Sequence, residues 1–246
     1  MARALRTLAT GGLLLASSGA CAGPQIYGLR HDRSFTYQSL DSGSMVVGGV
    51  TAVGREAALD STTRGQFESL LTNSLRDGYR RLEVPSAGAV AAEFGDSLHG
   101  EVLNRYRRVG ELDSATLREM SARLPKPRYV VFARIESDVI DSAETVTQDS
   151  ADKKLNVEQV VRSRFRTMTV GFHVYDMSLS RAVWSGELMT ADTASNSYTQ
   201  PRKFVESVVT AIIRGSPKYP TAPTQSKVLR LLFDDFAESL PQPPQR

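Results

Sequence analysis

The chain of 246 residues contains one cysteine, one tryptophan and three histidines. A single cysteine, Cys21, excludes an internal disulfide. Cys21, His31, His99 and His173 are too scattered to match any ligand spacing for zinc or copper, so no metal site is expected. There is no G-x-x-x-x-G-K-[ST] and no G-x-G-x-x-G opening a helix, so no nucleotide-type cofactor is expected either. No stretch of the chain reaches the roughly 20 apolar residues that a membrane helix needs. Charge of neither sign dominates. Lys and Arg total 30 against 27 Asp and Glu, and without Arg3 and Arg6 of the N-terminal leader the balance is 28 to 27. Such a balance argues against the concentrated basic face of a nucleic-acid binder, and "RYRR" (Arg105 to Arg108) reads as a solvated turn or helix face.

What is present begins with a leader. Arg3 and Arg6 precede "TLATGGLLLASS", a short apolar centre, and then small residues follow, which is the pattern of an export signal. Two cleavages fit it. In the first, residues 1–20 are a lipoprotein-type signal peptide cut before Cys21, whose thiol is acylated. Ser18-Gly19-Ala20-Cys21 supplies the small residues, with Ser18 where leucine is usual. In the second, cleavage follows Ala20-Cys21-Ala22, and a soluble periplasmic protein starts at Gly23. A lone thiol outside the cytosol calls for a special role, and this favours the lipid on Cys21.

Residues 21–43 are polar and mixed and read as a tether. "SMVVGGVTAV" (Ser44 to Val53) predicts a strand with a bulge or close approach at Gly48-Gly49. Asp60, Ser61 or Thr62 caps a helix with Phe67, Leu70, Leu71, Ser74 and Leu75 on one side and Gly78 as a left-handed stop. "YRRLEV" (Tyr79 to Val84) predicts a strand and Ala87 to Phe94 a helix. Asp113 or Ser114 caps a short helix that turns Leu117, Met120 and Leu124 inward. "RYVVFARIESDVI" (Arg128 to Ile140) is the strongest strand signal. In "FRTMTVGFHVYDM" Met168, Val170, Phe172 and Val174 alternate with polar residues, so His173 is expected on an exposed strand face. A turn at Ser178 to Arg181 leads to "AVWSGELMT" (Ala182 to Thr190). The polar residues between the two long strands, 139–165, read as a hairpin arm or a loop. A helix over Lys203 to Arg214, a proline-rich linker over 215–225 and a helix over 226–240 complete the chain. Leu229, Leu232, Phe233, Phe236 and Leu240 form one apolar stripe on the last helix. That stripe must be buried, either against the same domain or by a partner or a second copy.

Apparent catalytic chemistry dissolves on inspection. Gly95-Asp96-Ser97-Leu98 matches the nucleophile block of GDSL-type esterases, but there is no Gly-x-Asn-Asp block and no aspartate three residues before any histidine. Asp234-Asp235 on a helix point apart, and read as a solvated edge. The chain is therefore expected not to be an enzyme, and a hydrolase is the least favoured function.

The pieces "MVVGGVTAV", "QFESLLTNSLRDGYRRLEV", "PRYVVFARIESDV" and "FHVYDMSLSRAVWSGEL", in this order, resemble the envelope lipoproteins related to the curli secretion lipoprotein CsgG and the penicillin-binding-protein activator LpoB. A strand ending at Asp176, a short turn and Val183-Trp184-Ser185 carry the likeness, which spans residues 44–214. The resemblance implies an α+β fold, a small mixed or antiparallel sheet flanked by helices, to which this chain adds the amphipathic helix at its C-terminus. It further implies a scaffold or regulator at the outer membrane, facing the periplasm, that binds another envelope protein. The alternative is a subunit of a secretion channel of the curli type. Arguing against it, 139–165 carries Asp141, Glu144, Asp149, Asp152, Lys153, Lys154 and Glu158, where lipid-facing strands need sustained apolar alternation.

Overall fold

A computed structural model describes residues 25–54, 59–79, 84–85, 87–124, 127–148, 157–201 and 218–242. Five strands form one mixed sheet: β1 (Gln25–His31), β2 (Met45–Ala52), β3 (Tyr129–Gln148), β4 (Val157–Asp176) and β5 (Arg181–Pro201). Their spatial order is β1-β5-β4-β3-β2; β2 runs parallel to β3 and the other pairs are antiparallel. The described helices are α1 (Tyr37–Ser42), α2 (Ser61–Gly78), α3 (Ala87–Phe94), α4 (Asp96–Val109), α5 (Ser114–Arg123) and α6 (Gln225–Ser239). The fold is α+β.

Helices cover both faces of the sheet. On one, α2 and α6 pack on Val47, Val50, Val131, Ala133, Val170, Phe172, Val174 and Trp184. On the other, α3, α4 and α5 bury Val46, Val130, Phe132 and Tyr175. Every residue of β2 is consequently buried, with no alternation. Gly48 makes this packing possible. A Cβ there would come within 2.6 Å of the Phe132 ring, and the β2–β3 register shifts between Val47 and Gly49.

Asp60 caps α2 by accepting from the Thr63 amide at 2.9 Å, and Asp113 caps α5 through Thr116 at 2.7 Å. Gly78 serves a different end from the left-handed stop expected of it. It stays within α2, and a Cβ at this position would lie 3.2 Å from the Ala237 methyl, so it lets α2 and α6 approach closely.

Two stretches fold otherwise than their sequences predict. Residues 21–43, read as a tether, are structured from Gln25 onward. β1 is an edge strand paired with β5 (Ile26 with Leu188, His31 with Trp184), Arg181 pairs with Asp32 at 2.6 Å, and Phe35 and Leu40 are core residues. β1 escaped notice because backbone bonds to β5 hold it while its side chains stay largely exposed. Asp96–Val109, which gave no helix signal beyond the solvated RYRR cluster, is the helix α4, opened by Gly95 in the left-handed region (φ 75°) and closed by Gly110 (φ 83°). The strand expected at 79–84 falls largely on residues 80–83, and the helix at 203–214 wholly, outside the described residues; Tyr79 and Val84 themselves are not in a strand.

Candidate functional site

Cys21 lies outside the described residues. The C-terminal stripe does not. Leu229, Leu232, Phe233 and Phe236 are 0% exposed and Leu240 2%, all in the chain's own core. Phe236 stacks on Phe172 with centroids 4.2 Å apart and meets the Trp184 ring edge-on at 5.1 Å. This removes the stripe as a partner contact: the strands of its own sheet supply the apolar surface that its spacing demanded. Asp234, read as part of a solvated edge, accepts from Ser74 Oγ at 2.6 Å and ties α6 to α2.

Other chemistry-bearing residues are held in structural roles. Ser97 sits in the first turn of α4, while His99 Nε2 meets the Gly48 carbonyl at 2.8 Å and its ring stacks on Phe94. His173 is half-buried rather than exposed, because α4 covers the face that the alternation marked as polar. Its Nδ1 shares a hydrogen bond with Tyr106 Oη at 3.0 Å and its ring stacks on Tyr175. Burial, reinforced by the charges of Arg134 and Arg30, holds His173 down to a pKa of about 4. Asp176, 1% exposed, organises the β4–β5 turn. Its carboxylate accepts from the Ser178 and Leu179 amides at 2.9 and 3.2 Å and pairs with Arg128 at 3.0 Å.

What the fold holds out is an arm. β2 ends opposite Ile135 and β1 begins opposite Met189, yet β3, β4 and β5 continue in register to Gln148, Glu158 and Gln200. Among the described residues, 137–148 of β3 and 190–201 of β5 are thus open sheet edges flanking β4. Twelve residues at roughly 3.3 Å each make the arm about 40 Å long. Its two faces differ. One carries Asp138, Glu144, Arg162, Arg164, Arg166 and Asp192. Arg162 pairs with Glu144 at 2.6 Å beneath the rings of Tyr198 and Tyr219, and Arg166 pairs with Asp138 at 2.9 Å and donates to the Pro223 carbonyl. The opposite face shows Val139, Ala143, Thr145, Val161, Ser163, Phe165, Thr167, Thr193, Ser195 and Ser197, with Asp141 as its charge. Of the hairpin and loop readings for 139–165, the described strands answer to the hairpin. The continuation of β5 to Pro201 was missed, although Arg162, Arg164 and Arg166 at two-residue spacing marked the central strand.

Among solved structures, the chain is similar to the PelC dodecamer from Paraburkholderia phytofirmans, at 13% identity and a TM-score of 0.37 over 89% of this chain and 99% of that one. It is similar to lipoprotein GNA1162 from Neisseria meningitidis at 10% identity and a TM-score of 0.32, covering 70% of this chain and 96% of the other. It is also similar to the LpoB C-terminal domain from Salmonella enterica at 11% and 0.32, covering 63% and 95%. Envelope lipoproteins of the kind that the sequence resembles, LpoB included, therefore stand among its structural neighbours, at the level of fold. No protein-family model matches the chain, and no curated protein matches it.

Proposed function

We propose that this chain is a non-enzymatic envelope protein, anchored in the outer membrane by a lipid on Cys21 and facing the periplasm. In this reading it acts as a scaffold or regulator by binding another protein through its three-stranded arm. The observation that carries the reading is the pair of strand edges at 137–148 and 190–201, unpaired among the described residues, on a body whose C-terminal helix is docked on its own sheet. Open strands offer a row of backbone donors and acceptors, the surface used when a partner adds a strand.

The position of the anchor narrows where the partner stands. β1 starts opposite Met189, at the foot of the arm, and only Ala22, Gly23 and Pro24 separate it from Cys21. At most about 14 Å of extended chain spans that distance. Anchor and arm leave the body at the same end, so the partner contacts lie close to the membrane. The same observation favours a second reading, a subunit of a secretion channel whose arms pair edge to edge.

Two measurements test this. Mass analysis of the mature N-terminus should find an acylated Cys21, and a chain starting at Gly23 overturns the tether. A photo-crosslinking residue at Thr145 or Ser197 should capture a protein in intact cells where one at Arg118 does not. Equal capture from all three positions overturns the arm as the contact. Self-capture together with a large ring in detergent gives the channel reading instead.

A further inference from the structure

A cleft of about 200 Å³ opens at the foot of the arm, where β2 ends beside α2 and α4. Val50, Ala52, Leu59 and Leu103 give it apolar walls, and its polar lining is Thr51, Arg64, Asn104 and Arg107. Among the described residues, no acidic one lines it. Two buried polar atoms here have no hydrogen-bond partner: Thr51 Oγ1, in a residue 6% exposed, and Arg107 Nε. Arg64 donates only a long bond, 3.4 Å, to the Leu59 carbonyl, and neither arginine is in an ion pair among the described residues.

A guanidinium carries five donors and stays charged, so two of them beside one cleft make a strongly donor-rich, positive site. The nearest described carboxylate bonded into this region is Glu68. Its Oε1 accepts from the Val50 amide at 3.4 Å, facing β2, and burial holds the group toward its neutral form. Some other arginines of the fold, such as Arg76 and Arg118, likewise donate to backbone carbonyls, whereas eight are neutralised within the chain. Arg105, Arg123, Arg128, Arg134, Arg162, Arg166, Arg181 and Arg230 each face a carboxylate of the same chain. Neither Arg64 nor Arg107 is in an ion pair among the described residues, although Arg64 is close enough to Glu68 for its charge to favour that carboxylate, and the buried hydroxyl of Thr51 joins them.

We propose that this cleft binds a small oxyanion, a phosphate or a carboxylate group, held by Arg64 and Arg107 with Thr51 and Asn104 completing its hydrogen bonds. At about 30 Å³ per water-sized group the cleft holds roughly seven such groups, enough for a phosphate ester or a short carboxylate and too little for a polymer. Planar guanidinium groups suit either oxyanion through paired N–H donors. The walls of Val50, Leu59 and Leu103 accept a short apolar substituent on it.

The test uses the mature full-length chain in detergent, titrated calorimetrically with sodium phosphate and with sodium acetate, each against sodium chloride at equal ionic strength. Saturable one-site binding of phosphate or acetate is expected, and the stronger of the two names the ligand class. Arg64→Gln and Arg107→Gln should each weaken it about tenfold, the loss typical of a charge-assisted bond. Thr51→Val keeps the volume of the side chain and should weaken binding several-fold, which keeps the idea testable if an arginine variant misfolds. Heats no different from chloride would overturn the site. So would binding that survives unchanged in the folded variants, since the anion would then be seated elsewhere.

Discussion

His173 couples the second core to pH. With the ring enclosed by Tyr106 and Tyr175 and its pKa held to about 4, the folded chain resists the proton that the unfolded chain accepts near pH 6.5. Between those two values the unfolded state binds more protons, so stability rises with pH. The contribution is complete above about pH 6.5 and is lost as pH falls toward 4, amounting to about 3 kcal/mol. Glu68, displaced upward by burial, acts with the opposite sign above its ordinary value. Asp32, Asp60 and Asp113, held low chiefly by hydrogen bonds from Ser34, Thr63 and Thr116, act only below theirs. Comparison with a His173→Gln variant isolates the histidine. Urea titrations from pH 7 to 4 should show a clearly flatter decline for the variant; identical slopes would mean that the imidazole protonates freely in the fold. At this scale the sequence revealed caps and crowding, since Asp60, Asp113 and Gly48 are local matters. It did not reveal the burial of His173, which depends on α4 lying across a strand face some 65 residues away in the chain.

Among the elements, α6 shows what periodicity can and cannot say. Its stripe at Leu229, Leu232, Phe233, Phe236 and Leu240 demanded burial, and only the sheet's composition on that face, Phe172, Val174 and Trp184, decides what buries it. β1 is the converse: it has little apolar signal because edge pairing needs none. Phe236 is the centre of the α6 contact, wholly buried between a stacked Phe172 and the edge of Trp184. Phe236→Ala should therefore cost about 3–5 kcal/mol through lost contacts and an unfilled cavity. The fall in urea midpoint measures it, and the emission of Trp184, the sole tryptophan, reports the change at the same place. A loss below 1 kcal/mol would show that α6 is peripheral to the core.

On the scale of the whole molecule, body and arm are separate investments of the chain. The two main apolar clusters end at one level: the last member on β3 is Ile135, the first on β4 is Met168 and the last on β5 is Leu188, with Val160 of β4 as a further buried residue in the arm. Beyond that level the strands are held by their own ladder, by pairs such as Arg162 with Glu144 and Ser163 with Ser195, and by the rings of Tyr198 and Tyr219 over Arg162. Shortening the arm should then leave the body intact. Ser142 lies opposite Arg164, so joining these two through a two-residue turn keeps the register and the Arg166–Asp138 pair below the cut. The shortened chain should unfold cooperatively and lose at most about 3 kcal/mol against the parent, since Val160 is the buried apolar side chain that goes with the arm. It should also lose crosslinking from Ser197, whose strand neighbour has gone. Unfolding that becomes broad or strongly destabilised would mean that the arm is part of the folding unit. A stable body that still crosslinks at Ser197 would shift the partner surface from the arm's central strand to the free edge of β5.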